Sequence, residues 1–193
     1  MLIMPAAAHS APKTLLVLGD SLSAEYGLGR GTGWVALLEQ RLKQQKIDVT
    51  IVNASISGET TIGGKTRLPA LLSKHAPAVV IIELGANDAL RGLQLSDTKA
   101  NLQAMIDMAR QAKAKVLLVG MQIPPNYGPD YTRQFANLFP QAAQQNKLAL
   151  VPFLLQNVAD KPALFQADHL HPIEQAQPTL LDNVWPHLKP LVK

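Results

Sequence analysis

The fold of this chain is decided by the stretch Ala78-Val79-Val80-Ile81-Ile82-Glu83-Leu84. It is a short, nearly continuous apolar run that is rich in β-branched residues. Runs of this kind are typical of strands that are buried on both faces, as they are in parallel sheets. The stretch therefore predicts a buried strand of a parallel sheet.

Four more apolar runs of strand length occur along the chain, and segments with helical periodicity separate them. The strands are predicted at residues 15–18, 49–52, 116–119 and 148–151. Helices are predicted at residues 34–45, 65–75, 96–113 and 131–146 and from Glu174 onwards, with Pro69 limiting the first turn of the second helix and Ser96 or Asp97 capping the third. This alternation predicts an α/β fold with a five-stranded parallel sheet covered on both faces.

The crossovers between parallel strands are right-handed, so the loops that follow the strands share one edge of the sheet. Open α/β sheets bind their ligands at that edge. The polar motifs of this chain follow strands or lie in the loop near residue 170. We therefore expect them to meet there.

The composition fits one globular domain, predicted at residues 14–193. The chain has 193 residues, a net charge of +4 and 47% hydrophobic residues. Its basic residues are dispersed, so no nucleic-acid partner is predicted. Cysteine is absent, which excludes disulfides, thiolate nucleophiles and cysteine-based metal sites.

Residues 1–13 are apolar at first and then small, and they resemble the end of a signal peptide. We therefore predict export to the periplasm or the medium, with a disordered N-terminus as the alternative interpretation of these residues. Nothing later in the chain approaches the roughly 18 apolar residues of a membrane span, so no stable membrane insertion is predicted.

The first polar motif is Gly19-Asp20-Ser21-Leu22-Ser23, directly after the first strand. A serine there can sit at the amino end of a helix, where free N–H groups suit an oxyanion that forms beside it. Taken alone, the segment fits two other interpretations equally well. It can be a plain helix cap, or a phosphate-binding loop of the flavodoxin kind.

Two further motifs follow the second and third strands. Gly58 has no side chain, so its N–H can approach a substrate oxygen closely. Asn87, in Gly85-Ala86-Asn87-Asp88, carries a neutral amide donor of the kind used in oxyanion holes. In isolation, each is better explained as an ordinary turn residue.

The fourth motif is Asp168-His169-Leu170-His171-Pro172. Asp168 and His171 are three residues apart, so one turn can place the carboxylate beside the imidazole and leave the other ring nitrogen free as a general base. A metal pair of His169 and His171 with Asp168 as a third ligand is an alternative. Together the four motifs supply a nucleophile, oxyanion donors and an acid–base pair, which is what acyl transfer needs.

With these residues in place, the chain resembles the SGNH, or GDSL, hydrolases. Four blocks carry the resemblance: residues 19–23, Gly58, residues 85–88 and Asp168-x-x-His171-Pro172. Matches beyond the blocks resemble the bacterial arylesterase, acyl-CoA thioesterase I and lysophospholipase subgroup. They include residues 53–58, 67–72, 90–92 and 125–128.

The resemblance implies a flavodoxin-like three-layer α/β/α sandwich, a serine hydrolase of small-molecule esters and thioesters, and no cofactor or metal. It implies Ser21 as nucleophile, His171 as base and Asp168 as the residue that orients His171. The implied oxyanion hole is formed by the Ser21 N–H, the Gly58 N–H and the Asn87 side chain. A monomer is expected, although nothing in the sequence opposes oligomerisation.

The loop at residues 123–128 follows the fourth strand, so it borders the same edge. We predict that Ile123, Pro124 and Tyr127 line an acyl groove. Glu25 and His169 depart from the family pattern near the expected pocket and bear on substrate preference. Other functions that fit the sequence are a carbohydrate O-acetyl esterase of the same fold, a non-catalytic acyl- or glycan-binding relative, and a flavodoxin-like phosphate binder.

Overall fold

A computed structural model describes residues 13–193, so the predicted signal remnant lies outside the described residues except for Lys13. The centre of the molecule is a five-stranded sheet in which every neighbouring pair is parallel. The strands are β1 (Lys13–Gly19), β2 (Val49–Asn53), β3 (Val79–Glu83), β4 (Lys115–Val119) and β5 (Ala149–Val151), in the spatial order β2-β1-β3-β4-β5.

This strand order is that of the flavodoxin-like doubly wound fold. β3 lies in the middle of the sheet and all five of its residues are buried, as its apolar run predicts. The predicted α/β class, the flavodoxin-like topology and the five parallel strands are confirmed.

Six α-helices cover the sheet in the part of the chain that the structure describes. They are α1 (Trp34–Gln44), α2 (Thr61–His75), α3 (Ala86–Leu90), α4 (Leu95–Gln111), α5 (Pro129–Asn146) and α6 (Gln177–Val192). α1 packs against α6, whereas α4 packs against both α2 and α5. Trp34, Phe135 and Phe139 are the largest of the fully buried side chains in the core between helices and sheet. No helix within residues 13–193 is both long and apolar enough to cross a membrane.

Two helix starts differ from the sequence-based prediction. α2 begins at Thr61 rather than Lys65, which places Pro69 inside the helix instead of near its first turn. The helix buries Gly64 and Leu68 on its core side. The stabilisation from this packing exceeds the cost of the backbone hydrogen bond that is lost at Pro69. α4 begins at Leu95 without a side-chain cap, so Ser96 and Asp97 lie inside its first turn.

The segment that follows β1 is a chain of turns and not the start of a helix, which corrects the expected setting of Ser21. Residues 21–27 form turns, and α1 begins only at Trp34. Positive φ angles at Glu25, Gly27 and Gly31 interrupt any helical path. The Glu25 carboxylate accepts hydrogen bonds from the N–H groups of Gly31 and Gly33, so this acid closes its own loop.

Candidate active site

Ser21, His171 and Asp168 lie in one hydrogen-bonded row at the carboxyl edge of the sheet. The Ser21 Oγ is 2.8 Å from His171 Nε2, and His171 Nδ1 is 2.7 Å from Asp168 Oδ2. Ser21 is 9% exposed, which leaves its hydroxyl at the surface of the cavity described below. The row therefore pairs a reachable hydroxyl with an imidazole whose far nitrogen is held by a carboxylate.

A tight turn fixes Asp168 against His171. Asp168 Oδ1 accepts hydrogen bonds from the backbone N–H groups of Leu170 and His171. The Gln166 N–H donates to the His171 carbonyl, and Phe165 forms a bridge with Pro172. Burial alone would raise the pKa of Asp168, but the backbone donors and the His171 side chain outweigh it and lower that pKa to about 2. Asp168 is therefore ionised at neutral pH and holds the imidazole in place.

Tyr26 covers one side of the imidazole. The ring centroids of Tyr26 and His171 are 4.4 Å apart with an interplanar angle of 40°. The Gln166 side chain donates to the Tyr26 carbonyl, which ties the loop after β1 to the histidine turn. Sequence reasoning missed Tyr26, because a lone tyrosine in a glycine-rich loop carries no local signal of its contact.

Asn87, at the start of α3, lies beside the turn that carries Ser21. Its Nδ2 donates to Asp20 Oδ2 over 3.1 Å and to the carbonyl of Glu59 over 3.0 Å. Both amide protons thus have acceptors, and an oxyanion would share one of them. Asp20, one residue before the serine, therefore controls the orientation of this amide.

The other two predicted oxyanion donors are backbone N–H groups. Within residues 13–193, neither the Ser21 N–H nor the Gly58 N–H donates a hydrogen bond. Gly58 has a φ of 78°, and its carbonyl accepts from Arg91, so the peptide group between Gly58 and Glu59 is held by a side chain at the end of α3. Gly58 adjoins Glu59, whose carbonyl contacts Asn87, although Gly58 is not among the residues that line the cavity.

A second buried network anchors α3. The Asp88 carboxylate is 2% exposed and accepts from the Thr61 N–H over 2.9 Å, from the Thr61 hydroxyl and from the Thr98 hydroxyl. Asn101 donates in turn to the Thr61 hydroxyl. These contacts join the first turns of α2 and α4 to the short helix that carries Asn87. They therefore help to fix the position of the Asn87 amide.

A cavity of about 400 Å³ opens beside Ser21. Its walls are mostly apolar and come from the segments that follow β1, β3, β4 and β5. They include Leu22, Leu90, Met121, Ile123, Pro124, Phe153, Leu155, Phe165 and Leu170. His169 also lines it, whereas the Glu25 carboxylate is bound to its own loop. Such a cavity suits an apolar chain whose end reaches the hydroxyl.

Of the three residues predicted to line an acyl groove, two line the cavity and one does not. Ile123 and Pro124 line the cavity. Tyr127 is not among its lining residues, and its hydroxyl instead donates to the Leu90 carbonyl over 3.2 Å. The walls from Met121, Phe153 and Phe165 were missed, because apolar residues after a strand look the same whether they fill a core or line a pocket.

The structure brings Asp168 and His171 together in the way a base and its orienting carboxylate require. It groups no three His, Asp or Glu side chains in a metal-binding arrangement anywhere in residues 13–193. His169 contributes to the cavity wall, and His171 contacts Ser21 and Asp168.

The chain is similar to known proteins in family, sequence and structure. The model of the GDSL-like lipase/acylhydrolase family matches residues 17–177. Esterase TesA of Pseudomonas aeruginosa is 53% identical over 184 residues, which cover 95% of this chain and 92% of the relative. Thioesterase 1/protease 1/lysophospholipase L1 of Escherichia coli K12 is 41% identical over 183 residues, covering 95% and 86%.

A solved structure agrees with these relatives. The psychrotrophic esterase EstA from a Pseudoalteromonas species, inhibited by monoethylphosphonate, is 42% identical. It superposes with a TM-score of 0.88 over 92% of this chain and 97% of EstA. The family match, the relatives and the superposition agree with the resemblance seen in the sequence, and the chain belongs to the GDSL-like lipase/acylhydrolase family.

Proposed function

We propose that this chain, an ester and thioester hydrolase of the family, works through an acyl-enzyme on Ser21. The observation that carries the proposal is the row from Ser21 Oγ to His171 Nε2 at 2.8 Å and from His171 Nδ1 to Asp168 Oδ2 at 2.7 Å. These are the contacts that an activated serine needs. They lie in the wall of an apolar cavity, where an acyl chain can bind.

In this mechanism His171 Nε2 takes the Ser21 proton while Oγ attacks the carbonyl carbon of the ester or thioester. The tetrahedral intermediate collapses, the bond to the alcohol or thiol breaks, and His171 gives its proton to that leaving group. Water then attacks the acyl-enzyme with His171 again as base, and the carboxylic acid leaves. Asp168 stays ionised throughout and stabilises the imidazolium.

The proposed oxyanion hole consists of the Ser21 N–H, the Gly58 N–H and the Asn87 amide. Its support is that the two backbone donors make no hydrogen bond within the described part of the chain. The Asn87 amide is held beside them through Asp20 and Glu59. Removing one such donor typically costs roughly 3 kcal/mol of transition-state stabilisation.

We propose an apolar acyl group longer than acetyl as the preferred substrate portion. The cavity of about 400 Å³ is bounded by side chains such as Leu22, Ile123 and Phe153, and an acetyl group would leave most of this apolar surface unfilled. Each buried methylene contributes about 0.8 kcal/mol of binding, so chains that fill the cavity are favoured.

The test uses the nitrophenyl esters of acids from two to twelve carbons, with wild type, Ser21→Ala and the surface control Ser73→Ala. Wild type should show a burst of nitrophenol and prefer chains longer than acetyl. Ser21→Ala should lose the burst while Ser73→Ala retains it. A burst that persists in Ser21→Ala would remove Ser21 as the nucleophile. A preference for acetyl would favour the carbohydrate deacetylase, and no turnover at all would favour a binding protein.

We also propose that the protein is exported to the periplasm. The support is the sequence of residues 1–12, which is apolar and then small, in the manner of a secretory signal. Expression of the full chain in a bacterium, followed by osmotic shock and mass determination, tests this. Export predicts a shortened chain in the periplasmic fraction, whereas an uncleaved chain confined to the cytosol contradicts it.

A further inference from the structure

Glu83 is a buried acid that the serine mechanism does not use. It is the residue with which β3 ends, it is 0% exposed, and it lies opposite Gly19 in the register of β1 and β3. Its Oε2 accepts from the Ser23 hydroxyl over 2.7 Å and from the Asp20 N–H over 3.3 Å. The turn that carries Ser21 therefore rests on the Glu83 carboxyl group.

The other carboxyl group in this buried space is that of Asp20, which is 1% exposed. Asp20 Oδ1 accepts from the Leu22 N–H over 3.0 Å, and Oδ2 accepts from Asn87 over 3.1 Å. Glu83 Oε1, by contrast, is buried and receives no hydrogen bond from any donor in residues 13–193. An ionised oxygen without a donor is costly in such a place, whereas a protonated one is itself a donor.

The directions of the pKa shifts of the two acids also favour a protonated Glu83 and an ionised Asp20. Burial, followed by the negative charge of Asp20, raises the pKa of Glu83 well above its ordinary value. Burial also raises the pKa of Asp20, but the Leu22 N–H, His171 and Asn87 act against it, and that pKa is about 6. A side-chain hydrogen bond between the acids favours the proton on Glu83 and the charge on Asp20.

We propose that Glu83 is a positioning residue that works in its protonated form, donating to ionised Asp20 and thereby fixing both the Ser21 turn and the Asn87 amide. The proposal deepens the proposed function and rests on it. One proton between two buried acids leaves a single negative charge beside the oxyanion hole. A second charge there would oppose the negative charge that develops on the substrate oxygen.

The charged groups that act on the pKa values of this pair are the two acids themselves and His171, whose positive charge lowers the pKa of Asp20. Asp168 holds the far side of His171 and stays ionised. The pair is thus linked to the catalytic row through one imidazole and to the oxyanion hole through one amide. Glu83 touches neither the substrate nor His171 in this scheme and acts only through Asp20 and Ser23.

The decisive variant is Glu83→Gln, because a glutamine can donate to Asp20 and accept from Ser23 as protonated Glu83 does. We expect its kcat to stay within about threefold of wild type, since the hydrogen bonds are conserved. Glu83→Ala should lower kcat by at least about tenfold with little change in KM, because the turn and the amide lose their support. Glu39→Gln, at an exposed ion pair with Lys43, is the control for the chemical change.

Two measurements do not depend on turnover. Infrared spectra at pH 8 should show the C=O stretch of a buried protonated carboxyl group in wild type and in Glu39→Gln, and this band should be absent in Glu83→Gln. The Tm of wild type should fall relative to that of Glu83→Gln as pH rises. The pKa of Glu83 is higher in the folded state than in the unfolded state. Such a group contributes its full stabilisation below the unfolded-state pKa, and this stabilisation is lost as pH rises through the folded-state pKa.

Three results would overturn the proposal. The first is a Glu83→Gln variant as slow as Glu83→Ala, which would mean that Glu83 acts as an anion. The second is an infrared band that Glu83→Gln leaves unchanged. The third is a Glu83→Ala variant with a lower Tm and an intact kcat, which would mean that the residue is structural only. Failure of the acyl-enzyme mechanism is a separate outcome, since it would show as a burst surviving in Ser21→Ala.

Discussion

Gly19 and Glu83 lie opposite each other where β1 and β3 end, and a methyl group on residue 19 would come within 2.7 Å of Glu83 Oε2. The same methyl group would lie 2.9 Å from the Cβ of Ser23. Because residue 19 has no side chain, the turn that carries Ser21 can pack against the buried Glu83 carboxyl group. The need for glycine here comes from space rather than from backbone conformation.

Gly19→Ala is therefore expected to lower the free energy of unfolding by about 1–3 kcal/mol through overpacking. It should also lower kcat, because the displaced turn carries Ser21. Urea denaturation and ester turnover measure the two effects. Gly29→Ala is the matched control, since its methyl would come closer than ordinary contact distance only to the tip of the Glu174 side chain, with Thr32 at 3.6 Å. Equal stability of the two variants would contradict the steric argument.

Asn87→Ala is expected to reduce kcat by about two to three orders of magnitude, the usual cost of one oxyanion donor. The fold should persist, because Asp88 and its threonine partners anchor α3 independently of the amide. Steady-state kinetics and thermal melting provide the measurements. Asn126→Ala, at an exposed position outside the cavity lining, should behave as wild type. A wild-type kcat for Asn87→Ala would remove this residue from the oxyanion hole.

Asp168→Asn should lower kcat by about 10⁴-fold, because an amide cannot stabilise the imidazolium and favours the wrong ring tautomer. The Asp168 side chain is 37% exposed, so Tm should change little. Its pKa of about 2 means that its ionic contribution is lost only as pH falls through that value. A kcat/KM profile from pH 5 to 9 should therefore show no limb from Asp168. Asp130→Asn, at an exposed ion pair, is the control.

Tyr26→Ala is expected to lower kcat by up to about tenfold, because an aromatic contact of this kind stabilises by about 0.5–1.5 kcal/mol beyond its buried area. Tyr26→Phe keeps the ring on His171 and should retain nearly full activity. Measuring kcat and KM of both variants with one ester shows whether the ring contact between Tyr26 and His171 supports activity. If both variants lose activity equally, the tyrosine hydroxyl matters and the ring contact does not.

Much of the fold was predictable because it depends on local patterns. Apolar runs identified the five strands found in residues 13–193. The signal was clearest for β3, because a parallel strand that is buried throughout is apolar on both faces. The start of α2 was harder to predict, because it depends on Thr61 meeting Asp88, a contact 27 positions away. Pro69 also gave a misleading local signal, since tertiary packing tolerates it inside the helix.

The polar motifs of the site were predictable in kind, because each follows a strand and such loops share an edge. Their contacts were not. That Asp20 holds Asn87 follows from a turn whose course no propensity dictates. The contacts of Glu83 were still harder to predict. Its side chain only interrupts an apolar run in the sequence, and its partner Ser23 lies 60 positions away. Tyr127 shows the converse, because its place in a promising loop did not put it in the cavity wall.

The hydrogen bond between Ser21 and His171 spans 150 positions of the chain. Closing a flexible loop of that length costs about 4 kcal/mol of chain entropy beyond a constant. While a growing chain has not yet reached residue 171, it can form its first strands, but Ser21 has no imidazole beside it. We therefore expect hydrolytic activity to appear late in synthesis. A nascent chain should show none until the turn with His171 packs against the loop that follows β1.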